Sequence, residues 1–270
     1  MHLQQDQPPQ DASLPPVHSS ITIATDPSPA QGPHESADNV NKTEPQPKYL
    51  YFAYGSNLSP TQMRDRCTHD PNLSGHPVAI AALDHWRWLI CQFGYANVVP
   101  PAGLRVGPEV LEGDEVPESV SNSIPEGGVY GVLYEMSEAD ERVLDGYEGV
   151  DHESQPSKWG WGDKFRRAPD GEGVPGELRP REQGAGLYNK WYVDARVVGW
   201  LDEDYRRRKG FEGVGGNVRV LVYIDELRVR VDAPKEEYIP RMNRAIREAV
   251  KLGFPEDWAE AVMRPAIPKE

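Results

Sequence analysis

Seven runs rich in Val, Ile, Tyr and Trp recur between residues 49 and 225, and few long helical patterns separate them. The runs are YLYFAYG (49–55), PVAIAAL (77–83), HWRWLICQF (85–93), ANVVP (96–100), VYGVLYEM (129–136), LYNKWYVDARVVGWL (187–201) and NVRVLVYID (217–225). Runs of this composition read as β-strands. A helix is expected behind Ser59, with Pro60 at its first position and Gln62 completing a capping box. A short helix follows Ser137, with Val143, Leu144 and Tyr147 on one face. The clearest helix comes late: Tyr238, Met242, Ala245, Ile246 and Ala249 recur at helical spacing, Gly253 and Pro255 stop it, and EDWAEAVM begins another. A doubly wound sheet needs strands that alternate regularly with long helices. This pattern instead predicts an α+β fold: a closed or nearly closed mixed sheet flanked by helices.

Residues 1–48 are rich in Pro, Gln, Ser and Asp and have no apolar periodicity. Such a segment buries too little surface to offset its conformational entropy, so a disordered tail is expected ahead of a domain over 49–270. The tail lacks the apolar core of a signal peptide and the Arg content of a mitochondrial presequence. No run is long and apolar enough to cross a membrane. The net charge of −14 argues against nucleic acid or an anionic membrane as partner. Cys67 and Cys91 support neither a disulfide framework nor a metal motif. A cytoplasmic protein is expected. Flexible loops are predicted over about 101–127 and 154–186, although Trp159, Trp161 and Phe165 give the second loop packing material.

YFAYGSNL (51–58) raises the first chemical question. The apolar run ends at Gly55-Ser56-Asn57, and Ser59-Pro60 starts a helix. Glycine lets a ligand approach the backbone, and the helix start points amides back toward the loop. A carboxylate or carbonyl oxygen suits that arrangement. An ordinary strand-to-helix turn also fits it.

Glu148, in DGYEGV, is the second feature. It lies just past a helix whose apolar residues draw it toward the core. A carboxylate against apolar walls has a raised pKa and exchanges protons near neutrality. Glu141, Asp145 and Asp151 compete for that role, and a solvated loop glutamate is the plain alternative. Tyr188, Tyr223 and Tyr238 lie in or beside apolar patterns. Each offers a rigid face and one hydroxyl to a small polar ligand, or simply packs. His69 and His76 bracket a loop without metal-ligand spacing.

Together these pieces resemble the γ-glutamylcyclotransferase family. The matching elements are YFAYGSNL, VYGVLYEM, DGYEGV, LYNKWYV, VLVYID and PKEEY, in order across roughly residues 48–265. The stretch 154–186 is longer than the link the family usually carries there. The resemblance implies a small mixed α/β barrel and release of 5-oxoproline from a γ-glutamyl compound. It implies Glu148 as the catalytic general base and acid. It places the substrate-binding loop on Tyr51, Phe52, Ala53, Tyr54, Gly55, Ser56 and Asn57, and the site tyrosines on Tyr188, Tyr223 and Tyr238. It calls for no metal and no cofactor, takes a small-molecule γ-glutamyl substrate as partner, and allows a homodimer. A γ-glutamylamine cyclotransferase and a non-catalytic γ-glutamyl-binding module are the rival readings.

Overall fold

In the computed structural model, which describes residues 49–101, 104, 128–157 and 178–269, a barrel is built from strands far apart in sequence. The chain order is β1 (Leu50–Ala53), α1 (Pro60–Arg66), α2 (Pro71–Ser74), β2 (Pro77–Leu83), β3 (Arg87–Ile90), β4 (Ala96–Val99) and β5 (Val129–Tyr134). It continues with α3 (Glu138–Glu148), β6 (Asn189–Trp200), α4 (Glu203–Lys209), β7 (Asn217–Ile224), α5 (Tyr238–Lys251) and α6 (Glu256–Trp258). The tail expected over 1–48, most of the loop expected over 101–127, and residues 158–177 with Trp159, Trp161 and Phe165 lie outside the described residues.

Five strands close in the order β1-β5-β2-β6-β7. β1 runs antiparallel to β5, with Tyr51 opposite Tyr134, and parallel to β7, with Leu50 opposite Val220. The β2–β5, β2–β6 and β6–β7 pairs are antiparallel. The fold is therefore the mixed α+β barrel that the strand-rich pattern predicts. β1 has only four residues, and all are buried. Phe52 reaches full burial because Gly131 of β5 leaves room: a Cβ there would lie 2.5 Å from the Phe52 ring. Trp191, Tyr134, Leu133, Leu144 and Leu221 fill the core beside it.

β3 and β4 form a separate hairpin. Trp88 Nε1 donates to Tyr54 O at 3.0 Å, and Asn97 exchanges hydrogen bonds with the Asp225 backbone. These bonds pin the hairpin beside the ends of β1 and β7. The C-terminal helices cover another part of the barrel. Trp258 packs edge-on against Tyr130 at 5.5 Å and donates to Gly128 O at 3.0 Å. The helix expected from EDWAEAVM is short, because residues 259–263 continue it as a π-helical turn.

Three local expectations need correction. Ser59 caps α1 by accepting from the Gln62 amide, but the Gln62 side chain does not return to the Ser59 amide. That amide already donates to Ser56 O, so Gln62 turns to Ser56 and Asn57 instead. Tyr147 does not join Leu144 in the core; it is 56% exposed. The described ends of the 154–186 stretch are packed rather than loose. Ser157 and Glu182 bond back to Pro180 and Gln155, and Arg179 is buried in ion pairs with Glu182 and Glu226. Glu226 also accepts from Trp191 Nε1 and Asn189 Nδ2, each at 2.7 Å, which ties this segment to β6. Charged residues bury only when paired, and spacing alone does not reveal the partners.

Candidate active site

Where β1 and β7 finish and β6 begins, the barrel end opens into a cavity of about 320 Å³. Its polar wall is the YGSN loop. Residues 56–58 form one 3-10 turn between β1 and α1. Gly55 is required by close approach rather than by a left-handed backbone, since its φ is −116°. A Cβ there would stand 2.9 Å from the Tyr238 hydroxyl and 3.2 Å from Ala96 Cβ. The Gly55 and Ser56 amides differ in their partners. The Ser56 amide donates to Tyr238 Oη at 3.2 Å, whereas the Gly55 amide has no partner among the described residues.

Glu148 closes α3 rather than lying beyond it. Gly149 adopts the left-handed conformation, φ 63°, and its amide satisfies the last carbonyls of the helix. Leu187 bonds to Gly149 O at 2.9 Å and packs where a Cβ would sit. The helix end is thus fixed, and the Glu148 side chain, 17% exposed, faces the cavity.

Asn57 joins the loop to this carboxylate. Its Nδ2 donates to Glu148 Oε1 at 3.2 Å and to Tyr51 Oη at 2.8 Å. Its Oδ1 accepts from Gln62 Nε2 at 2.8 Å and Arg66 at 3.1 Å. With both donors on the oxygen, the amide group has one sensible orientation. Arg66 also reaches Glu148 Oε1 at 3.4 Å. Both contacts fall on Oε1, and Oε2 has no partner among the described residues. Burial pushes the Glu148 pKa above the usual glutamate range, against the opposing pull of Arg66, the Asn57 hydrogen bond and Arg241. The result is a carboxylate with one oxygen held and the other open to the cavity.

The competing carboxylates are committed elsewhere. Asp145, 3% exposed, accepts from Tyr223 Oη at 2.6 Å and pairs with Lys190 and His152. Glu141 pairs with Lys190 and accepts from Tyr49. Asp151 accepts from the Ala185 and Glu153 amides in a turn. None of the three lines the cavity.

Of the residues singled out in the sequence, Tyr51, Tyr54, Gly55, Ser56, Asn57, Glu148, Tyr188, Tyr223 and Tyr238 all line it. Phe52 and Ala53 do not; they lie in the barrel wall between residues that do. Tyr188 donates to Ala96 O at 2.8 Å and Tyr54 to Tyr223 O at 2.5 Å, so these rings are locked in place. Tyr238 Oη already accepts from Ser56, which leaves its proton to donate. Ser56 Oγ accepts from Gln62 at 2.7 Å and from Arg241 at 3.0 Å and donates to no partner among the described residues, so its proton is likewise left to donate.

Sequence reasoning missed Arg66, Arg241, Phe93, Tyr95, Ala96, Tyr147 and Leu187. Arg241 was findable, since it lies one turn beyond Tyr238 on α5. Tyr147 is Glu148's neighbour. Phe93 and Tyr95 sit in the turn between β3 and β4, and no periodic signal marks such positions.

The fold and cavity thus define a closed barrel with a buried, partly free carboxylate among arginines, tyrosines and an open amide. A scan against protein-family models gave no match, and neither did a search of curated proteins. Among solved structures the chain is similar to YkqA from Bacillus subtilis, at 16% identity and a TM-score of 0.41. The likeness covers 82% of this chain and 56% of that one, so the chain spans little more than half of YkqA's length. With a TM-score so low, the fold assignment rests on the barrel's own strand order.

Proposed function

We propose that this protein is a γ-glutamylcyclotransferase, releasing 5-oxoproline and a free amine from a γ-glutamyl compound. The observation that carries the reading is Glu148 Oε2, without a partner among the described residues, in a cavity lined by arginines and hydroxyl donors. The family resemblance of YFAYGSNL and DGYEGV supports the same conclusion.

A γ-glutamyl amide carries its own nucleophile, the α-amine, which is mostly protonated at neutral pH because its pKa is about 8. Glu148 Oε2 accepts one ammonium proton. The amine then attacks the γ-carbonyl carbon, forming the ring C–N bond and pushing charge onto the carbonyl oxygen. Collapse breaks the original amide C–N bond as protonated Glu148 gives its proton to the departing amine, and the ring nitrogen sheds its second proton to the freed Glu148 carboxylate and on to solvent, leaving the neutral lactam. Arg66 and Arg241 supply positive charge for the substrate's α-carboxylate. The Gly55 amide and the Ser56 and Tyr238 hydroxyls are the donors within reach of a developing oxyanion. One well-placed donor of that kind contributes roughly 2.7–4 kcal/mol. Holding amine and carbonyl together contributes up to about 7–11 kcal/mol.

Mass-spectrometric detection of 5-oxoproline from a panel of γ-glutamyl dipeptides, γ-glutamylamines and glutathione tests the proposal. Release from at least one panel member is expected. Tight binding of a γ-glutamyl ligand with no release from any of them overturns it in favour of a binding module.

A further inference from the structure

Resting on the cyclotransferase reading, we infer that the outer part of the same cavity selects γ-glutamyl compounds whose leaving amine carries a bulky apolar or aromatic side chain. The cavity has two zones. Its floor is polar and closed: Tyr51, Tyr188, Tyr223 and Tyr238 are each at most 7% exposed, and each hydroxyl has a fixed partner. Its outer lining is apolar and partly open, formed by Phe93, Tyr95, Tyr147 and Leu187.

The outer rings are held in place without a ligand. The Arg66 guanidinium lies 4.6 Å from the Tyr147 ring centroid. Phe93 packs on Tyr95 at 5.4 Å, and Tyr95 packs edge-on against Tyr238 at 5.0 Å. Lys235 Nζ sits over both Phe93 and Tyr95, at 4.2 and 4.4 Å. Rings held this way meet a ligand with little further loss of conformational freedom. Among the described residues Tyr147 is one of four large apolar side chains more than half exposed, and it sits beside the reactive carboxylate.

Chemistry fixes which part of the substrate meets these rings. The α-amine must reach Glu148 Oε2, so the glutamyl group fills the floor. Everything beyond the scissile bond then extends toward solvent, past the aromatic lining. A glycine leaving group leaves the rings wet. A phenylalanine leaving group covers them and buries apolar surface on both sides. Covering one such side chain is worth about tenfold or more in kcat/KM.

The test compares 5-oxoproline release from γ-glutamylphenylalanine and γ-glutamylglycine by the full chain and by two variants, Tyr147→Ala and Phe93→Leu. Tyr147 is exposed, so its removal leaves the core untouched, and Phe93→Leu keeps apolar bulk while removing the ring face. The wild-type protein is expected to prefer the phenylalanine substrate by about tenfold in kcat/KM, and each variant to shrink that ratio about threefold, mainly through KM. A wild-type ratio at or below unity, or a ratio unchanged in both variants, overturns the selectivity inference and leaves the cyclotransferase reading standing. Absence of 5-oxoproline from both substrates overturns the selectivity inference, and the cyclotransferase reading falls with it only if the γ-glutamylamines and glutathione also release none.

Discussion

Asn57 Nδ2 donates to Glu148 Oε1 at 3.2 Å, across 91 residues of sequence. One hydrogen bond therefore couples the loop that ends the first strand to the carboxylate that ends α3. The Asn57→Ala variant loses that bond and the acceptor for Arg66, so the carboxylate is no longer aimed. A fall in kcat of about tenfold to a hundredfold is expected, with KM less affected, because misplacement of a reacting group acts on the chemical step. Steady-state kinetics on the best substrate checks this; an unchanged kcat counts against the coupling.

Arg66 sets how far the Glu148 pKa rises. Burial pushes it up, and Arg66 is the largest opposing influence. The proposed base must be ionised, so kcat/KM falls as pH drops through the Glu148 pKa. That acid limb is expected above the value of about 4.3 for an unperturbed glutamate. Arg66→Ala removes a cation that favours the ionised form, so the limb moves to higher pH still. Arg66→Lys moves it less. A pH–rate profile of the three proteins checks the order; a limb moving to lower pH in Arg66→Ala contradicts it.

Gly55 owes its identity to the hydroxyl opposite. A Cβ at this position stands 2.9 Å from Tyr238 Oη, so Gly55→Ala displaces the ring or the loop. Weaker substrate binding and a loss of about 1–3 kcal/mol in stability are expected. Tyr238→Phe removes the clashing oxygen, so the double variant regains stability but not activity. Thermal melts and KM values for the two single variants and the double variant separate these effects.

Asp140 governs stability away from the cavity. Its buried carboxylate accepts from the His69 and Asp70 amides, Ser74 Oγ and Ser137 Oγ, at 2.7–2.9 Å. Burial pushes its pKa up, but these hydrogen bonds outweigh burial and hold it below the usual range. A depressed carboxylate stabilises the fold above its unfolded-state pKa and loses that contribution as pH falls through its folded-state pKa. Asp140→Ala strands two amides and is expected to cost about 1–3 kcal/mol at neutral pH. The deficit narrows in acid. Denaturant titrations at neutral and acid pH measure both values.

The barrel and much of the cavity were legible because they are written in short patterns. Apolar runs marked the strands, and Ser59-Pro60 and Ser137 marked helix starts, whereas the pattern ended α3 short and left Glu148 just past it. Less legible were features made by long-range approach. The separate β3–β4 hairpin that brings Phe93 and Tyr95 to the cavity depends on Trp88 and Asn97 bonding to backbone far along the chain. The burial of Arg179 depends on Glu226, and the Asn57–Arg66–Glu148 cluster on how α1 meets α3. Charge partners of this kind follow no period, so no pattern of spacing reveals them.

Glu148→Gln is the most direct test of the central claim. Glutamine keeps the shape and an oxygen for Asn57 but does not serve as the proton acceptor. Ligand binding by calorimetry and 5-oxoproline release by mass spectrometry are measured on the same folded protein. The expected result is retained binding, with release reduced by about a hundredfold to ten-thousandfold. Release at a near-wild-type rate from the variant contradicts the account, because ring closure then proceeds without the Glu148 carboxylate.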